Sequence, residues 1–280
     1  MKANIRGIDL FYDDVGRAPA IVFLHGYPFN RSMWRAQIDF FAARDYRCIA
    51  PDLRGLGQSV AQTLVCERGG TDQRLKSVPL TTMTEMASDV AALIDDLKVE
   101  RALIVGLSMG SYIALEFVHL FPSRVQALVL AGARAQGADE AEKQSREEQA
   151  QRVVVERMEF AVQSILKNLL APATFVDKHD TVARVREMIL ETDPQGAAAA
   201  QRGMALRRDY SGTLHNIEVP TLIIASREDG VRKPEDAEFL HRGIQNSSIE
   251  IIDAAGHLMN MEQPEVFNQA LMKFVMKLRN

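Results

Sequence analysis

Gly106-Leu107-Ser108-Met109-Gly110 is the stretch that decides the fold. The apolar run before it, residues 102–105, predicts a buried strand, and the apolar spacing of residues 112–118 after it predicts a helix. A G-x-S-x-G pentapeptide at a strand-to-helix turn is typical of a nucleophile elbow, whose strained backbone exposes the serine hydroxyl and whose glycines avoid side-chain clashes. We therefore predict that Ser108 is a catalytic nucleophile.

The composition fits a large globular domain. The chain has 280 residues, of which 47% are hydrophobic and 25% are charged, and this length can bury a sizeable core that carries an inserted subdomain. The formal net charge of -4 argues against nucleic acid or an anionic membrane surface as the main partner. We therefore expect a small-molecule partner, while the oligomeric state stays open.

Two further features concern the cellular compartment. The first residues lack the apolar core of a signal peptide, and no apolar stretch approaches the roughly 20 residues that span a bilayer. Cys48 and Cys66 do not form a CxxC pair, which is typical of a protein without a disulfide framework in a reducing compartment. These features predict a cytoplasmic protein.

Strand and helix signals alternate along most of the chain. A predicted hairpin at residues 4–15 comes first, and short runs that are apolar throughout follow it, separated by amphipathic helices. Such runs are typical of the α/β fold class, with a mainly parallel sheet and helices on both of its faces. The predicted strands of this sheet are residues 21–24, 47–50, 102–105, 127–131, 219–225 and 249–252.

The pattern changes between residues 133 and 217, where strand signals vanish and helical spacing dominates. We interpret residues 133–217 as a helical cap, or lid, inserted into a core formed by residues 1–132 and 218–280. The mixed charges of residues 139–159 predict a solvated helix face within this cap. The helical spacing of the apolar residues 153–169 predicts a continuous helix with an apolar stripe, which we interpret as a packing face, with a wall for an acyl group as the alternative.

A serine nucleophile needs a base, and the base needs an acid that orients it; in a parallel sheet both must follow the carboxyl ends of strands. His257 fits the base best because it follows the last predicted strand. Asp229 follows the strand before it, shortly ahead of the helix predicted to begin at Pro234, and the adjacent Glu228 is its competitor. The chain order Ser108, Asp229, His257 is the one expected for an elbow of this type.

The oxyanion that forms in such a reaction needs two hydrogen-bond donors. Met109 opens the predicted helix, so its backbone N–H is unpaired there. Residues 25–28 read His-Gly-Tyr-Pro after another predicted strand, and the backbone N–H of Tyr27 is the natural second donor. His25 and Trp34 are candidates for the pocket lining; the alternatives are a histidine that braces the oxyanion loop and a tryptophan in the core.

Together these motifs make the chain resemble the α/β-hydrolase superfamily from the first hairpin to the C-terminus. It is most similar to the branch of 3-oxoadipate enol-lactonase-like proteins and carboxylesterases. Ser111 and Ser226 depart from the superfamily pattern, which usually has glycine at both positions, and residues 60–80 are longer than expected. The motifs that carry the resemblance are residues 25–28, 52–59 and 106–110, Asp229 and Gly256-His257.

The resemblance implies a serine hydrolase that cleaves a small carboxylic ester or lactone through an acyl-enzyme, without a metal, nucleotide or flavin cofactor. The same triad serves two alternatives, hydrolysis of a carbon–carbon bond and a cofactor-free haloperoxidase type of perhydrolysis. A non-catalytic, receptor-like binding protein is an alternative of a different class. Three arginines could bind a substrate carboxylate, although we expect them to be solvated surface residues: Arg134, Arg207 and Arg208.

Overall fold

A computed structural model describes residues 1–59 and 80–278 of the chain. The predicted excursion at residues 60–80 lies outside the described residues except for Leu80, and Cys66 lies outside them as well. Cys48 is buried, and burial raises the pKa of its thiol to about 12.

The strands follow the predicted order along the chain. In sequence they are β1 (Lys2–Ile5), β2 (Ile8–Val15), β3 (Ala20–Leu24), β4 (Arg47–Pro51), β5 (Ala102–Leu107), β6 (Val125–Ala131), β7 (Thr221–Ser226) and β8 (Ser247–Ile252). Within the described residues they form one sheet in the order β1-β2-β4-β3-β5-β6-β7-β8. The pairs β1–β2 and β2–β4 are antiparallel and every other neighbouring pair is parallel, which confirms the predicted α/β class.

Helices fill the connections between the parallel strands. No helix in residues 1–59 or 80–278 is long and apolar enough to cross a membrane. In sequence the helices are α1 (Arg35–Ala42), α2 (Met83–Asp96), α3 (Met109–Leu120), α4 (Glu140–Val155), α5 (Arg157–Leu169), α6 (Pro172–Asp177), α7 (His179–Glu191), α8 (Pro194–Ala205), α9 (Pro234–Gly243), α10 (Met259–Glu262) and α11 (Pro264–Lys277).

The sheet is buried on both faces. Successive residues of a strand point to opposite sides. In β3, Val22 and Leu24 therefore pack into the hydrophobic core of one face, and Ile21 and Phe23 pack into the core of the other. This two-sided burial explains why the central strands are apolar throughout and do not alternate with polar residues.

Between β6 and β7, a part of the chain that is described throughout, the structure contains the helices α4 to α8. The predicted continuous helix over residues 153–169 is wrong, because α4 ends at Val155 and α5 begins at Arg157, whose φ is 65°. Arg152 pairs with Glu156 across this break at 2.6 Å. The apolar positions keep a helical spacing through the break, so periodicity does not reveal it.

Candidate active site

Ser108 lies in the sharp turn between β5 and α3, with φ 56° and ψ −115°. A positive φ is strained for serine and is tolerated where the surroundings enforce it. The two glycines of the motif permit the tight turn here. A Cβ atom on Gly106 would lie 2.3 Å from the carbonyl oxygen of Gly110, and one on Gly110 would lie 2.0 Å from that of Leu24. Only glycine therefore fits at either position.

Ser111 explains one departure from the superfamily pattern. Its side chain is buried and donates a hydrogen bond shared between two backbone oxygens, those of Gly106 at 2.7 Å and Ala131 at 2.9 Å. The first oxygen belongs to β5 and the second to β6. A hydroxyl at this position therefore ties the elbow to the neighbouring strand.

Asp229 and His257 are in direct contact. The Oδ2 atom of Asp229 lies 2.7 Å from Nδ1 of His257, and their side chains are 1% and 2% exposed. The other oxygen, Oδ1, accepts the backbone N–H groups of Val231 and Arg232 at 2.7 and 2.8 Å. Glu228 is exposed to solvent. The structure thus brings Asp229 to the histidine, as the sequence predicted, while its competitor faces outward.

The second nitrogen of His257, Nε2, is buried and has no hydrogen-bond partner among the described residues. Ser108 and His257 line the same cavity. Gly132, with φ 53°, packs against the imidazole, since a Cβ there would lie 2.9 Å from Cε1 of His257. The ring is thus held on one side, and its free nitrogen is available to a group bound in the cavity.

Glu262 holds the backbone just before His257. Its carboxylate is fully buried and accepts the backbone N–H of Gly256 at 2.8 Å through Oε1. Through Oε2 it accepts the N–H of Ala171 at 2.8 Å and the hydroxyl of Thr174 at 2.6 Å. Burial raises the pKa of Glu262, although these donors oppose that shift. One side chain therefore connects the histidine loop with the start of α6.

The loop that carries Tyr27 lies against the elbow. A Cβ on Gly26 would lie 3.5 Å from Cβ of Ser108, so the backbone of this loop contacts the serine. Met109 is the first residue of α3, and its N–H has no acceptor within the helix. Both expected oxyanion donors therefore belong to segments that flank Ser108.

Neither of the two candidate lining residues lines this cavity. His25 is fully buried and joins two loops: Nδ1 lies 2.9 Å from the oxygen of Gly26, and Nε2 accepts the N–H of Leu53 at 2.9 Å. Burial lowers the pKa of His25, which keeps the ring neutral for this role. Trp34 is fully buried between Phe23 and Phe267, with ring centroids 5.2 and 5.9 Å away. In the structure, His25 thus supports a loop and Trp34 packs in the core, which are the two alternatives to lining the pocket.

The cavity at Ser108 has a volume of about 310 Å³, at the small end of the range for small-molecule sites. Helices α4, α5 and α8 form much of its wall, and the remainder comes from α3, the turn at Ser108 and the loops that carry Tyr27, Arg232 and His257. The lining residues are Tyr27, Ser108, Tyr112, Glu142, Ser145, Arg146, Gln149, Ile165, Leu169, Gln201, Met204, Val231, Arg232 and His257.

Sequence reasoning missed the charged part of this wall. Glu142 pairs with Arg146 and with Arg207, each at 2.8 Å, and lies 3.6 Å from Arg134. Burial alone raises the pKa of Glu142, but the hydrogen bonds and charges of Arg207 and Arg146 outweigh it and lower the pKa to about 2. Arg207 is buried, so the expectation of a solvated residue is wrong for it. The missed signal is the spacing of residues 142, 146 and 149, which places them on one face of α4.

Comparisons with known proteins agree with this geometry. A family model described as the alpha/beta hydrolase fold matches residues 19–264. The chain is 31% identical over 263 residues to 3-oxoadipate enol-lactonase 1 of Acinetobacter baylyi, covering 94% of this chain and 90% of that protein. It is 28% identical over 277 residues to 3-oxoadipate enol-lactonase 2 of the same organism, covering 98% and 95%.

A solved structure is similar over the full length. It is a thermophilic esterase from Thermogutta terrifontis with malate bound, and it superimposes with a TM-score of 0.90 at 32% identity, covering 100% of this chain and 99% of that one. These relatives and this structural neighbour are two lactonases and an esterase, which supports an enzyme of the α/β-hydrolase type. The chain belongs to the α/β-hydrolase fold family.

Proposed function

We propose that the protein is a serine hydrolase that cleaves small carboxylic esters or lactones through a Ser108–His257–Asp229 triad. The observation that carries the proposal is the 2.7 Å contact between Asp229 and His257, whose free Nε2 borders the cavity that contains Ser108. A base held by a buried acid, with a half-buried serine in the wall of the same cavity, is the arrangement that acyl transfer requires.

In the proposed first step, the hydroxyl oxygen of Ser108 attacks the substrate carbonyl while Nε2 of His257 takes its proton. Asp229 accepts a hydrogen bond from Nδ1–H and stays ionised, which fixes the tautomer and stabilises the imidazolium. The carbonyl oxygen becomes an oxyanion between the backbone N–H groups of Tyr27 and Met109, each worth about 3 kcal/mol. Collapse of this intermediate expels the alcohol, which receives the proton from His257.

In the second step, water attacks the acyl-enzyme and His257 takes a proton from it. The same two donors stabilise the second oxyanion, and its collapse releases the acid while the leaving oxygen of Ser108 takes the proton back from His257. For a lactone, the alcohol and the acid are parts of one product molecule.

We further propose that residues 133–217 act as a cap that determines which substrates enter. Six of the lining side chains belong to α4 and α5, among them Glu142, Arg146 and Leu169. Gln201 and Met204 of α8 complete this side of the wall. Substitutions in these helices are therefore expected to change substrate preference more than the intrinsic reactivity of Ser108.

The experiment is a comparison of the native protein with Ser108→Ala on a series of p-nitrophenyl esters and a panel of lactones. We expect the native protein to hydrolyse at least one of them and the variant to lose nearly all turnover. Equal turnover in both proteins, or none in either, would reject the proposal. Circular dichroism of the variant checks that its fold is intact.

A further inference from the structure

Two arginines line the cavity around Ser108, and they differ in their ion pairing. Arg146 lies 2.8 Å from the carboxylate of Glu142. For Arg232, no carboxylate in residues 1–59 or 80–278 lies within 4.0 Å of the guanidinium. Arg232 is half-buried, so water screens its charge less than that of a surface arginine. The cavity wall therefore contains a cation that forms no ion pair with the described residues.

Neutral oxygens hold the Arg232 side chain in place. The hydroxyl of Tyr112 accepts from Nε at 3.2 Å and from Nη2 at 2.5 Å, and the carbonyl of Val231 accepts from Nη1 at 3.0 Å. The backbone N–H of Arg232 is fixed by Asp229, at 2.8 Å. These contacts orient the guanidinium, but its partners in them are neutral groups that do not balance its positive charge.

Glu142 acts on Arg232 only from beyond ion-pair distance, as Asp236 does. Glu142 is the only carboxylate among the described residues of the cavity wall, and it already faces three arginines: Arg134, Arg146 and Arg207. Among these wall residues, positive charge from Arg146 and Arg232 therefore exceeds the negative charge of Glu142. A partly buried cation is unfavourable unless an anion or enough polar atoms compensate it, so this wall favours an anionic ligand.

We propose that Arg232 binds an ionised carboxylate of the substrate, so that the preferred substrates are short esters or lactones that carry such a group. The inference rests on the proposed function, since it concerns the same cavity. A guanidinium matches the planar geometry of a carboxylate and can donate two parallel hydrogen bonds to it. Arg232 and Ser108 line the same cavity, so a ligand bound there can reach both side chains.

The test uses the methyl hemiesters of succinic, glutaric and adipic acid, each beside its neutral isostere in which an amide replaces the free carboxylate. We expect kcat/KM of the best hemiester to exceed that of its isostere by about 10- to 100-fold, as for a hydrogen-bonded charge pair. In Arg232→Met this ratio falls to about 1. In Arg232→Lys the ratio is intermediate, because the positive charge remains but the planar guanidinium that donates two parallel hydrogen bonds is lost. Arg242→Met removes an exposed charge from the nearby α9 and keeps the native ratio.

A binding measurement separates this inference from the proposed function. In the Ser108→Ala background, calorimetry compares the dissociation constants of hemiester and isostere with and without Arg232→Met. Tighter hemiester binding that depends on Arg232 supports the carboxylate site even if no ester is turned over. Ser108-dependent turnover with the same hemiester-to-isostere ratio in native and Arg232→Met protein overturns the site and leaves the proposed function standing.

Discussion

The carboxylate of Asp229 joins two parts of the cavity: its Oδ2 lies 2.7 Å from Nδ1 of His257, and its Oδ1 accepts the backbone N–H of Arg232 at 2.8 Å. One buried side chain thus orients the proposed base and fixes the residue proposed to bind a substrate carboxylate. A change at Asp229 is therefore expected to affect both the chemical step and the position of the substrate.

Asp229→Asn is expected to lower kcat by about 10⁴-fold, because the amide favours the wrong tautomer of His257. Its side-chain oxygen can still accept the N–H groups of Val231 and Arg232, so we expect little change in stability. Glu228→Gln is the matched control, since the Glu228 side chain is exposed, and should keep a near-native rate. Steady-state kinetics on one ester measure kcat of both variants. A low kcat of Glu228→Gln together with a near-native kcat of Asp229→Asn would transfer the acid role to Glu228.

Gly110→Ala is expected to destabilise the fold by about 3 kcal/mol or more, because its Cβ would lie 2.0 Å from the backbone oxygen of Leu24 in β3. This atom cannot move aside without shifting a central strand. Gly212→Ala is the control, since no atom lies within 4 Å of a Cβ there, and should change stability by less than about 0.5 kcal/mol. Urea unfolding measures both; similar stabilities of the two variants would refute this account of the elbow.

Glu262→Gln is expected to destabilise the protein by about 2 kcal/mol and to lower kcat by about 10- to 100-fold at nearly unchanged KM. All three groups that contact the carboxylate are donors, so an amide nitrogen would face at least one of them. The displaced Gly256 then shifts the neighbouring His257. Glu265→Gln, exposed on α11, is the control. If Glu262→Gln loses stability but keeps native kcat, Glu262 does not position the base.

Glu142→Gln is expected to lower stability at pH 7 by about 2 kcal/mol, because three arginines lose their shared counter-ion. The pKa of Glu142 is lowered from 4.5 to about 2 in the folded protein. Its ionised form therefore stabilises the fold above pH 4.5, and this contribution is lost as the pH falls from 4.5 towards 2. Urea unfolding at pH 7 and pH 3.5 should show a smaller difference between variant and native protein at the lower pH.

Glu140→Gln is the control for that series. Glu140 lies on the same helix with its side chain 90% exposed, so its removal should change stability by less than about 0.5 kcal/mol at either pH. A difference between Glu142→Gln and native protein that grows on acidification contradicts the lowered pKa of Glu142.

The parts of the site that follow local rules were predictable from the sequence. The elbow at Ser108 depends on a strand, two glycines and a helix that are adjacent in the chain. Asp229 and His257 follow strands, and parallel strands bring their carboxyl ends to the same edge of the sheet. For these residues, chain order and strand position were enough to predict that the acid and the base would meet.

The cavity wall depends on contacts between distant segments, which no local pattern encodes. Glu142 pairs with Arg207, 65 positions away, and the resulting charge cluster has the same composition as a solvated helix face. Trp34 follows the oxyanion loop closely in sequence, yet its ring packs in the core against Phe267. Arg232 follows Asp229 by three positions in the chain, but only the structure shows that it forms no ion pair with the described residues.

Covalent labelling with a fluorophosphonate tests the central claim, that Ser108 is the nucleophile, most directly. The hydroxyl oxygen of Ser108 forms a bond to phosphorus, fluoride leaves, and His257 takes the proton. We predict one phosphonyl adduct in the intact-protein mass spectrum of the native protein, located on Ser108 by peptide mapping and absent from Ser108→Ala. An adduct on another residue, or equal labelling of Ser108→Ala, would contradict the account.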